Sequence, residues 1–312
     1  MWKSEPVPVL SVLWNVVLPV FLVVGMGIVL QRLVGFDISG LSRPVFYIFS
    51  PCLAFTSLYS LDLNAMHPIR AVVFALLVAF IMGGLGVFIS RFSGHHRTMT
   101  SASVLTLINN NTGNYGLPLN QFAFGLPGLQ IAVLYFVINS TLANSVGVYI
   151  VSAGRARPAE ALRNVMKTPL VYATVFALIA NGAHVSIPEP LLKAVSLSGQ
   201  AAVPAMLIIL GYHLGHLGTR IHWRRVLPIS LIKLTVGPIV AWGISLLVGF
   251  HGLMQAVAIV QSSVPTAVMS TVLATEFDCE PEYVAEVVFT TTVFSLITLT
   301  TVLTLVKVFI LR

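Results

Sequence analysis

Charged residues are scarce in this sequence of 312 residues. Only 9% of its residues are Asp, Glu, Lys or Arg, whereas a soluble domain carries about 25%. Hydrophobic residues make up 57% of the chain, and the mean hydropathy is +0.93. This composition excludes an ordinary soluble domain and predicts an all-α polytopic membrane protein. The net charge of +7 does not predict a nucleic-acid partner, because Lys and Arg stand between the apolar runs, where positive charge sets topology.

Cysteine is rare, and the common enzyme motifs are absent. Cys52 and Cys279 lie on different segments and do not suggest a disulfide framework. The sequence contains no G-x-S-x-G, H-E-x-x-H or P-loop motif. His213 and His216 share a helix face, but no nearby Cys or carboxylate completes a metal-ligand set, so we interpret both as interfacial. We therefore expect no enzyme activity, no cofactor and no metal.

Long apolar runs dominate the sequence, and we place ten hydrophobic segments in it. Their bounds are 8–33, 41–59, 69–91, 98–124, 129–151, 169–185, 191–214, 226–248, 253–275 and 281–308. The predicted organisation is a first five-helix repeat at 1–152, a short basic cytoplasmic linker at 153–167 and a second five-helix repeat at 168–312. An odd number of spans in each half gives the two repeats opposite orientations, so the repeat is inverted.

A polar decapeptide, residues 109–118 (NNNTGNYGLP), interrupts the fourth segment. The apolar runs beside it, 101–108 and 119–124, are each too short to cross a bilayer, which takes about 20 residues. Together the three parts are long enough, so the helix would break at membrane depth, where free backbone must be buried or line a cavity. Discontinuous helices of this kind form the midplane substrate sites of secondary transporters. The alternative is a solvent-exposed loop between two short hairpin helices.

The second half carries matching interruptions. Residues 261–266 (QSSVPT) place polar groups and a proline inside the ninth segment. Pro51 in the second segment and Pro204 in the seventh form another corresponding pair. Paired interruptions at corresponding positions of two halves are the best sequence indication of a transporter site.

The distribution of basic residues predicts the orientation, because cytoplasmic loops carry an excess of Lys and Arg. One side carries eleven of them: Arg32, Arg43, Arg91, Arg97, Arg155, Arg157, Arg163, Lys167, Arg220, Arg224 and Arg225. The other carries five: Lys3, Arg70, Lys193, Lys307 and Arg312. We therefore expect a multi-pass cell-membrane protein with both termini extracytoplasmic.

Asn111 and Asn114 are the leading candidates for substrate contact. An amide offers both donors and acceptors, and the N-terminus of a half-helix presents unpaired N–H groups and partial positive charge to an anion. The alternative is that these residues only cap the helix ends. Four residues of the ninth segment should face the same cavity, although a hydroxyl often just bonds the carbonyl one turn back. They are Gln261, Ser262, Ser263 and Thr266.

Other polar residues lie inside apolar segments. Asn139 could line the cavity or join helices, and we expect Asn144 to join helices. Lys233 is an intramembrane charge and so a functional candidate, but lysine near a helix end often snorkels, and we favour that interpretation. We expect Glu286 to be interfacial.

At the two interrupted segments and near its end, the sequence resembles the auxin efflux carrier family, the plant PIN proteins and their prokaryotic permease relatives. Residues 111–118 (NTGNYGLP) resemble the family's N-x-G-N-x-G-x-P break. Residues 264–268 (VPTAV) resemble its P-T-A-V stretch, and 290–298 (TTTVFSLIT) resemble its S-T-x-x-S-x-x-T ending. The similarity covers essentially the whole chain, and the short linker favours the prokaryotic permease branch.

The resemblance implies ten transmembrane helices in two inverted five-helix repeats, with broken helices four and nine crossing near Pro118 and Pro265. Helices one, two, six and seven would form a scaffold, and the others a moving transport domain. The substrate-binding residues are then expected to be Asn111, Asn114, Tyr115, Pro118, Asn139, Gln261, Ser262, Ser263, Pro265 and Thr266.

The resulting functional hypothesis is an efflux permease for small organic anions, such as carboxylates or auxin-like acids, with elevator-type alternating access. The alternative is a sodium-coupled organic anion symporter of the bile-acid type, which would need several oxygen ligands at the crossing. An intramembrane enzyme would need a catalytic pair at midplane depth, and a receptor an output domain; the sequence suggests neither. The expected partners are the anion and the lipid bilayer of a bacterial or archaeal cell, without nucleic acid; a homodimer through the scaffold helices is left open.

Overall fold

The computed structural model describes residues 9–35, 37–61, 68–151, 166–216 and 221–311. Helices account for nearly all of the described residues, and the pairing of extended backbone found among them is one isolated bridge, between Asn110 and Thr266. The prediction of an all-α protein is confirmed. The predicted linker at 153–167 lies almost entirely outside the described residues, as does the side chain of His216.

Thirteen helices are distinguished in the described part of the chain. They are α1 (Val9–Val34), α2 (39–59), α3 (Pro68–Phe92), α4 (Arg97–Ile108), α5 (112–124), α6 (126–151), α7 (Pro169–Gly182), α8 (Glu189–Gln200), α9 (Ala202–His216), α10 (Trp223–Leu247), α11 (Gly252–Ser263), α12 (Met269–Glu276) and α13 (Pro281–Phe309). Six stretches are long and apolar enough to span a bilayer: α1, α3, α10, α13, and the continuous stretches Thr112–Val151 and Glu189–Gly215. These stretches confirm a multi-pass membrane protein.

The fourth and ninth predicted segments are broken where the sequence indicates. The fourth divides into α4 and α5, with Asn109 extended at φ −91° and ψ 98°. The ninth divides into α11 and α12, with Val264 extended at φ −67° and ψ 155°. A separate turn at Gly125, with φ 69° and ψ −158°, divides α5 from α6, and glycine adopts such a backbone without a steric penalty.

Several helices contain one wide π-helical turn directly before a proline. Proline lacks an N–H group and its ring crowds the carbonyl four residues earlier, so a wider preceding turn relieves the crowding. Such single π-turns occur often at functional sites. The turns that precede Pro19, Pro51, Pro118 and Pro238 are Leu13–Val17, Val45–Phe49, Thr112–Gly116 and Ile232–Val236. The third of these contains Asn114 and the fourth contains Lys233.

Helix packing forms two groups, which also contact each other where α2 and α9 pack against α5 and α6. In the first, α1 lies along α9, and α2 packs against α7 and α8. In the second, α3 packs on α4 and α10, α6 packs on α11, and α13 packs on α10 and α12. The broken helices α4, α5, α11 and α12 belong to the second group or connect to it.

An ionic cluster joins the beginnings of α4, α10 and α13. Glu280 accepts from His96 Nε2 at 2.9 Å and from Arg225 Nη2 at 2.5 Å. Nearly two helical turns further along α13, a carboxylate oxygen of Glu286 and His222 Nδ1 lie 2.7 Å apart. The hydrogen bond from His96, with that of Arg225, outweighs partial burial and lowers the pKa of the Glu280 carboxyl below its usual 4.5.

The lowered pKa of Glu280 gives the cluster a defined acid dependence. A carboxyl whose pKa is depressed by folding adds stability above its unfolded pKa and loses it as the pH falls toward the folded pKa. We expect Glu280→Gln to melt at a lower temperature than the parent at pH 7. Between about pH 5 and pH 3.5, the melting temperature of the variant should fall less than that of the parent. Exposed Glu276 is the matched control: Glu276→Gln should change neither. Equal acid profiles for the parent and Glu280→Gln would contradict this role.

Candidate substrate site

The two helix breaks cross and are joined by their backbones. Asn111 N donates to Pro265 O at 2.9 Å, and Ala267 N donates to Asn109 O at 3.0 Å. Asn109, Asn110 and Asn111 are 5%, 9% and 4% exposed, which excludes the alternative of a solvent-exposed loop. The expectation of a crossing near Pro118 needs correction, because the paired residues are Asn110 and Thr266 and Pro118 lies in the first turns of α5.

Side chains reinforce the crossing. Thr266 Oγ1 donates to Thr106 O at 2.9 Å, and Thr266 N donates to Thr291 Oγ1 at 3.2 Å. Asn109 Nδ2 donates to Ser270 Oγ at 3.0 Å. These bonds satisfy polar groups that would otherwise be buried without partners, a state that costs about 1–3 kcal/mol each. Asn109 and Thr266 therefore have structural roles at the crossing.

The crossing brings four helix ends together. The first turns of α5 and α12 present N–H groups that have no intrahelical acceptor, while the last turns of α4 and α11 present carbonyls without an intrahelical donor. Each N-terminal end carries a partial positive charge and each C-terminal end a partial negative one. The site can thus bind an anion at one pair of ends and a cation at the other.

A cavity of about 430 Å³ opens beside the crossing. One wall comes from α2, α7 and α9, including Phe46, Leu170 and Met206, and the other from the first break, α6 and α12. The cavity extends to Ile38, directly before α2, and to Thr168, which borders the predicted cytoplasmic linker before α7. This volume lies within the usual range for small-molecule sites, about 300–1,000 Å³.

Asn111 and Asn114 line this cavity, as expected of substrate contacts. Asn111 Nδ2 is buried and has no hydrogen-bond partner. Asn114 is half-buried, and within the described ranges its side chain has no hydrogen bond either. No side chain of either residue caps the N-terminus of α5, which removes the capping interpretation for both. Two amides beside a helix N-terminus are therefore available to a ligand.

Three polar residues of α6 line the same cavity. Asn139 Nδ2 donates to Tyr135 O at 2.9 Å, and Asn139 lines the cavity. Asn144 was expected to join helices; instead its Nδ2 donates to Ser140 O of the same helix at 2.8 Å. Asn144 and Ser140 both line the cavity, so the expectation for Asn144 was wrong: its side chain turns toward open space and bonds one turn back.

The predicted residues of the ninth segment point elsewhere. Gln261 Nε2 donates to Ala132 O at 3.0 Å, and Ser263 Oγ donates to Ile259 O, one turn back, at 2.6 Å. Ser262 lines a separate small chamber. Among the described residues that line the 430 Å³ cavity, none of these three appears, nor does Thr266. Substrate contact by them stays a prediction that would require another conformation.

Tyr115, Pro118 and Pro265 are buried, Pro265 at the crossing and the other two in the first turns of α5. The Tyr115 hydroxyl hydrogen-bonds Ser295 Oγ at 3.0 Å, and its ring packs edge-on against Phe21. These residues hold the half-helices in place. Conversely, the sequence interpretation did not single out Asn110 and took His213 to be interfacial, but both line the cavity. The position of Asn110 within the polar decapeptide was the available signal.

Lys233 does not snorkel to the membrane interface. Its side chain is 1% exposed, and its Nζ atom donates to Leu107 O at 2.6 Å and to Asn110 Oδ1 at 2.5 Å. The snorkelling interpretation was wrong because Lys233 lies in the π-turn of α10, which directs it into the bundle toward the end of α4. A buried lysine amine therefore lies behind the first break.

Comparison with known proteins agrees with this geometry. Residues 156–303 match the family model described as "Membrane transport protein". An uncharacterized transporter of Methanothermobacter thermautotrophicus is 29% identical over 266 residues, which cover 84% of this chain and 87% of that protein. An uncharacterized transporter of Methanocaldococcus jannaschii is 28% identical over 200 residues, 62% of this chain and 64% of that protein.

The family match covers the second break, and the alignment with the Methanothermobacter protein covers most of the chain. The resemblance noted at the two breaks points to the same group of proteins. These findings identify a transport protein and not an enzyme. The chain is similar to the proteins of this membrane transport family, and its two breaks resemble those of the auxin efflux carriers.

Proposed function

We propose that the protein is a permease for small organic anions that works by an elevator-like movement around the crossing. The observation that carries the proposal is the pair of free amides, Asn111 and Asn114, beside the N-terminus of α5 in a cavity of about 430 Å³. Amide N–H groups and a helix N-terminus favour negative charge. Carboxylates accept such bonds through both oxygens.

The proposed movement follows from the two packing groups. The first group, α1, α2 and α7–α9, would be the scaffold, and the second would carry the crossing as the transport domain. The cavity lies between the two groups, so sliding one past the other would expose the same site on the opposite side. In this proposal the chain has ten spans in two inverted repeats, the scaffold comprises spans one, two, six and seven, and the cavity as observed faces the cytoplasm.

A thermal-shift screen with matched charged and neutral compounds tests the proposal. The purified protein is melted with benzoate, malonate or indole-3-acetate, and in parallel with benzamide, malonamide or indole-3-acetamide. A ligand that binds the folded state raises its stability, by about 1.4 kcal/mol at ten times its Kd. At least one carboxylate should raise the melting temperature while its amide does not. Equal shifts for every acid and its amide would argue against an anion site.

Sodium is the discriminating cation in the same screen. Replacing potassium chloride with sodium chloride should leave the melting temperature unchanged, with and without a stabilising carboxylate. Our reason is that the buried ammonium of Lys233 already occupies a cation position at the crossing. A carboxylate shift that requires sodium would favour the bile-acid symporter alternative.

Orientation makes a separate prediction. In a Cys52→Ser, Cys279→Ser background, we expect Ser186→Cys to react with an impermeant maleimide in intact cells, because its loop lies on the side that has fewer basic residues. Ser93→Cys, also exposed, lies between α3 and α4 on the basic side and should react only after permeabilisation. The reverse pattern would invert the proposed topology.

A further inference from the structure

Lys233 has a coordination that resembles that of a bound metal cation. Its Nζ atom contacts the carbonyl oxygen of Leu107 at 2.6 Å and the amide oxygen of Asn110 at 2.5 Å. Lysine donates only, so both oxygens are acceptors and the geometry suits an ammonium.

The carbonyl partner lies at the negative end of a broken helix. Leu107 is in the last turn of α4, which ends at Ile108, and a C-terminal carbonyl there has no intrahelical donor. In discontinuous transporter helices, such ends and unwound carbonyls are where coupling cations bind. Lys233 supplies positive charge at this end from within the chain.

The amide partner connects Lys233 to the substrate cavity. Asn110 lines both the cavity and a chamber of about 10 Å³ that contains Lys233. Because Asn110 Oδ1 accepts from Lys233, the Nδ2 group is on the opposite side of the amide, and within the described residues it has no partner. The lysine thus fixes which end of the Asn110 amide is free.

The chamber contains nothing that would neutralise the lysine. Its polar lining is Asn110, Asn139, Tyr135 and Ser262, and among the described residues no carboxylate lines it. The buried Tyr135 hydroxyl has no partner, and a space of this size can accommodate one water. A water there would accept the third ammonium proton and bond the Tyr135 hydroxyl.

We propose that the Lys233 ammonium is the built-in cation of the crossing: it holds the C-terminal end of α4 and orients Asn110 so that its Nδ2 group faces the substrate cavity. Lys233 is in this sense a positioning residue. The inference rests on the proposed anion site for its functional meaning. The structural part of the proposal is that Lys233 fills a cation site at the crossing. That part can be tested without a substrate.

Chemical rescue is the first test. Lys233→Ala removes three methylenes and the amine, and propylammonium has that composition. The full-length variant should melt at a lower temperature than the parent, and propylammonium chloride should restore it more than choline chloride at equal ionic strength or 1-propanol at equal concentration. The parent should not respond to propylammonium. If 1-propanol restores the variant equally, or nothing restores it, the cation role is overturned.

A second variant covers the case in which Lys233→Ala does not fold. Lys233→Met keeps most of the volume and removes the charge; Lys307→Met, at a half-buried lysine near the end of α13, removes the same charge elsewhere. Hydrogen exchange at the Asn111 amide, which bonds across the crossing, should accelerate roughly ten- to a hundred-fold in Lys233→Met. It should stay at the parental rate in Lys307→Met. Unchanged exchange in Lys233→Met would overturn the inference.

These experiments separate the two proposals. Rescue by propylammonium together with a failed carboxylate screen would uphold the built-in cation and reject the anion permease. Stabilisation by a carboxylate but not by its amide, without rescue by propylammonium, would support the anion permease and reject the built-in cation.

Discussion

Replacing Asn114 with alanine should weaken carboxylate binding roughly ten- to a hundred-fold, because a hydrogen bond to a charged group contributes about 1.5–3 kcal/mol. Asn114 lines the cavity at the first turn of α5 and has no hydrogen bond within the described residues. Its amide is therefore free to donate to an anion. Calorimetric titration with the most stabilising carboxylate of the screen measures the change.

Asn111→Ala makes a sharper version of the same prediction. A buried donor without a partner costs about 1–3 kcal/mol, and Asn111 Nδ2 is such a donor. Removing it should leave the melting temperature of the empty protein unchanged or higher, while carboxylate affinity falls. Binding residues commonly reduce stability in this way.

Asn120→Ala is the matched control for both variants. Asn120 is also on α5 and is fully buried, and its Nδ2 donates to Gly116 O at 2.7 Å. It is absent from the lining of the cavity among the described residues. This variant should retain carboxylate affinity. Asn144→Ala cannot serve as the control, since Asn144 lines the cavity. If Asn111→Ala and Asn114→Ala bind as tightly as Asn120→Ala, the site is misplaced.

Local sequence signals were sufficient to locate the two breaks. An Asn-rich decapeptide and a Pro-containing polar run interrupt apolar segments too short to span alone, and both form breaks in the structure. The physical reason is local: asparagine side chains compete for backbone hydrogen bonds and proline cannot donate one, so a cluster of such residues weakens the helix that contains it. Breaks of this kind can be predicted from composition and spacing.

The direction of individual side chains could not be predicted in the same way. Lys233 faces inward because a π-turn precedes Pro238, and one wide turn changes which side of the helix a residue occupies. Gln261 lies at the second break, but it donates to Ala132 O on α6, a partner distant in sequence. Both outcomes depend on contacts between helices, about which a single sequence carries no direct information.

The pairing of the breaks is another long-range property. Asn110 lies opposite Thr266. This pairing determines whether a given asparagine side chain bonds at the crossing or is left without a hydrogen bond. Asn109 is bonded to Ser270, whereas Asn111 Nδ2 is unpaired. Neighbouring asparagines thus have different roles, and the sequence alone does not indicate which asparagine has which role.

Gly27→Ala should destabilise the protein strongly, because α1 and α9 touch through their backbones at this residue. An alanine Cβ at Gly27 would lie 2.3 Å from Ile208 O, and one at Gly211 would lie 2.0 Å from Val24 O. The obstructing atoms are backbone, which cannot rotate away, so the helices must separate. Overpacking of this kind costs about 1–3 kcal/mol or more.

Gly25→Ala provides the control two residues earlier on the same helix. A Cβ at Gly25 meets nothing within 4 Å, and alanine is favoured over glycine in a helix interior by about 0.5–1 kcal/mol. We therefore expect Gly25→Ala to melt at or above the parental temperature and Gly27→Ala well below it. In the elevator proposal α1 and α9 form part of one rigid scaffold. Transport per folded molecule should therefore fall in Gly27→Ala and remain at the parental level in Gly25→Ala. Equal melting temperatures for the two variants would show that α1 and α9 are free to separate, and a scaffold built on their contact could not then resist the movement of the transport domain.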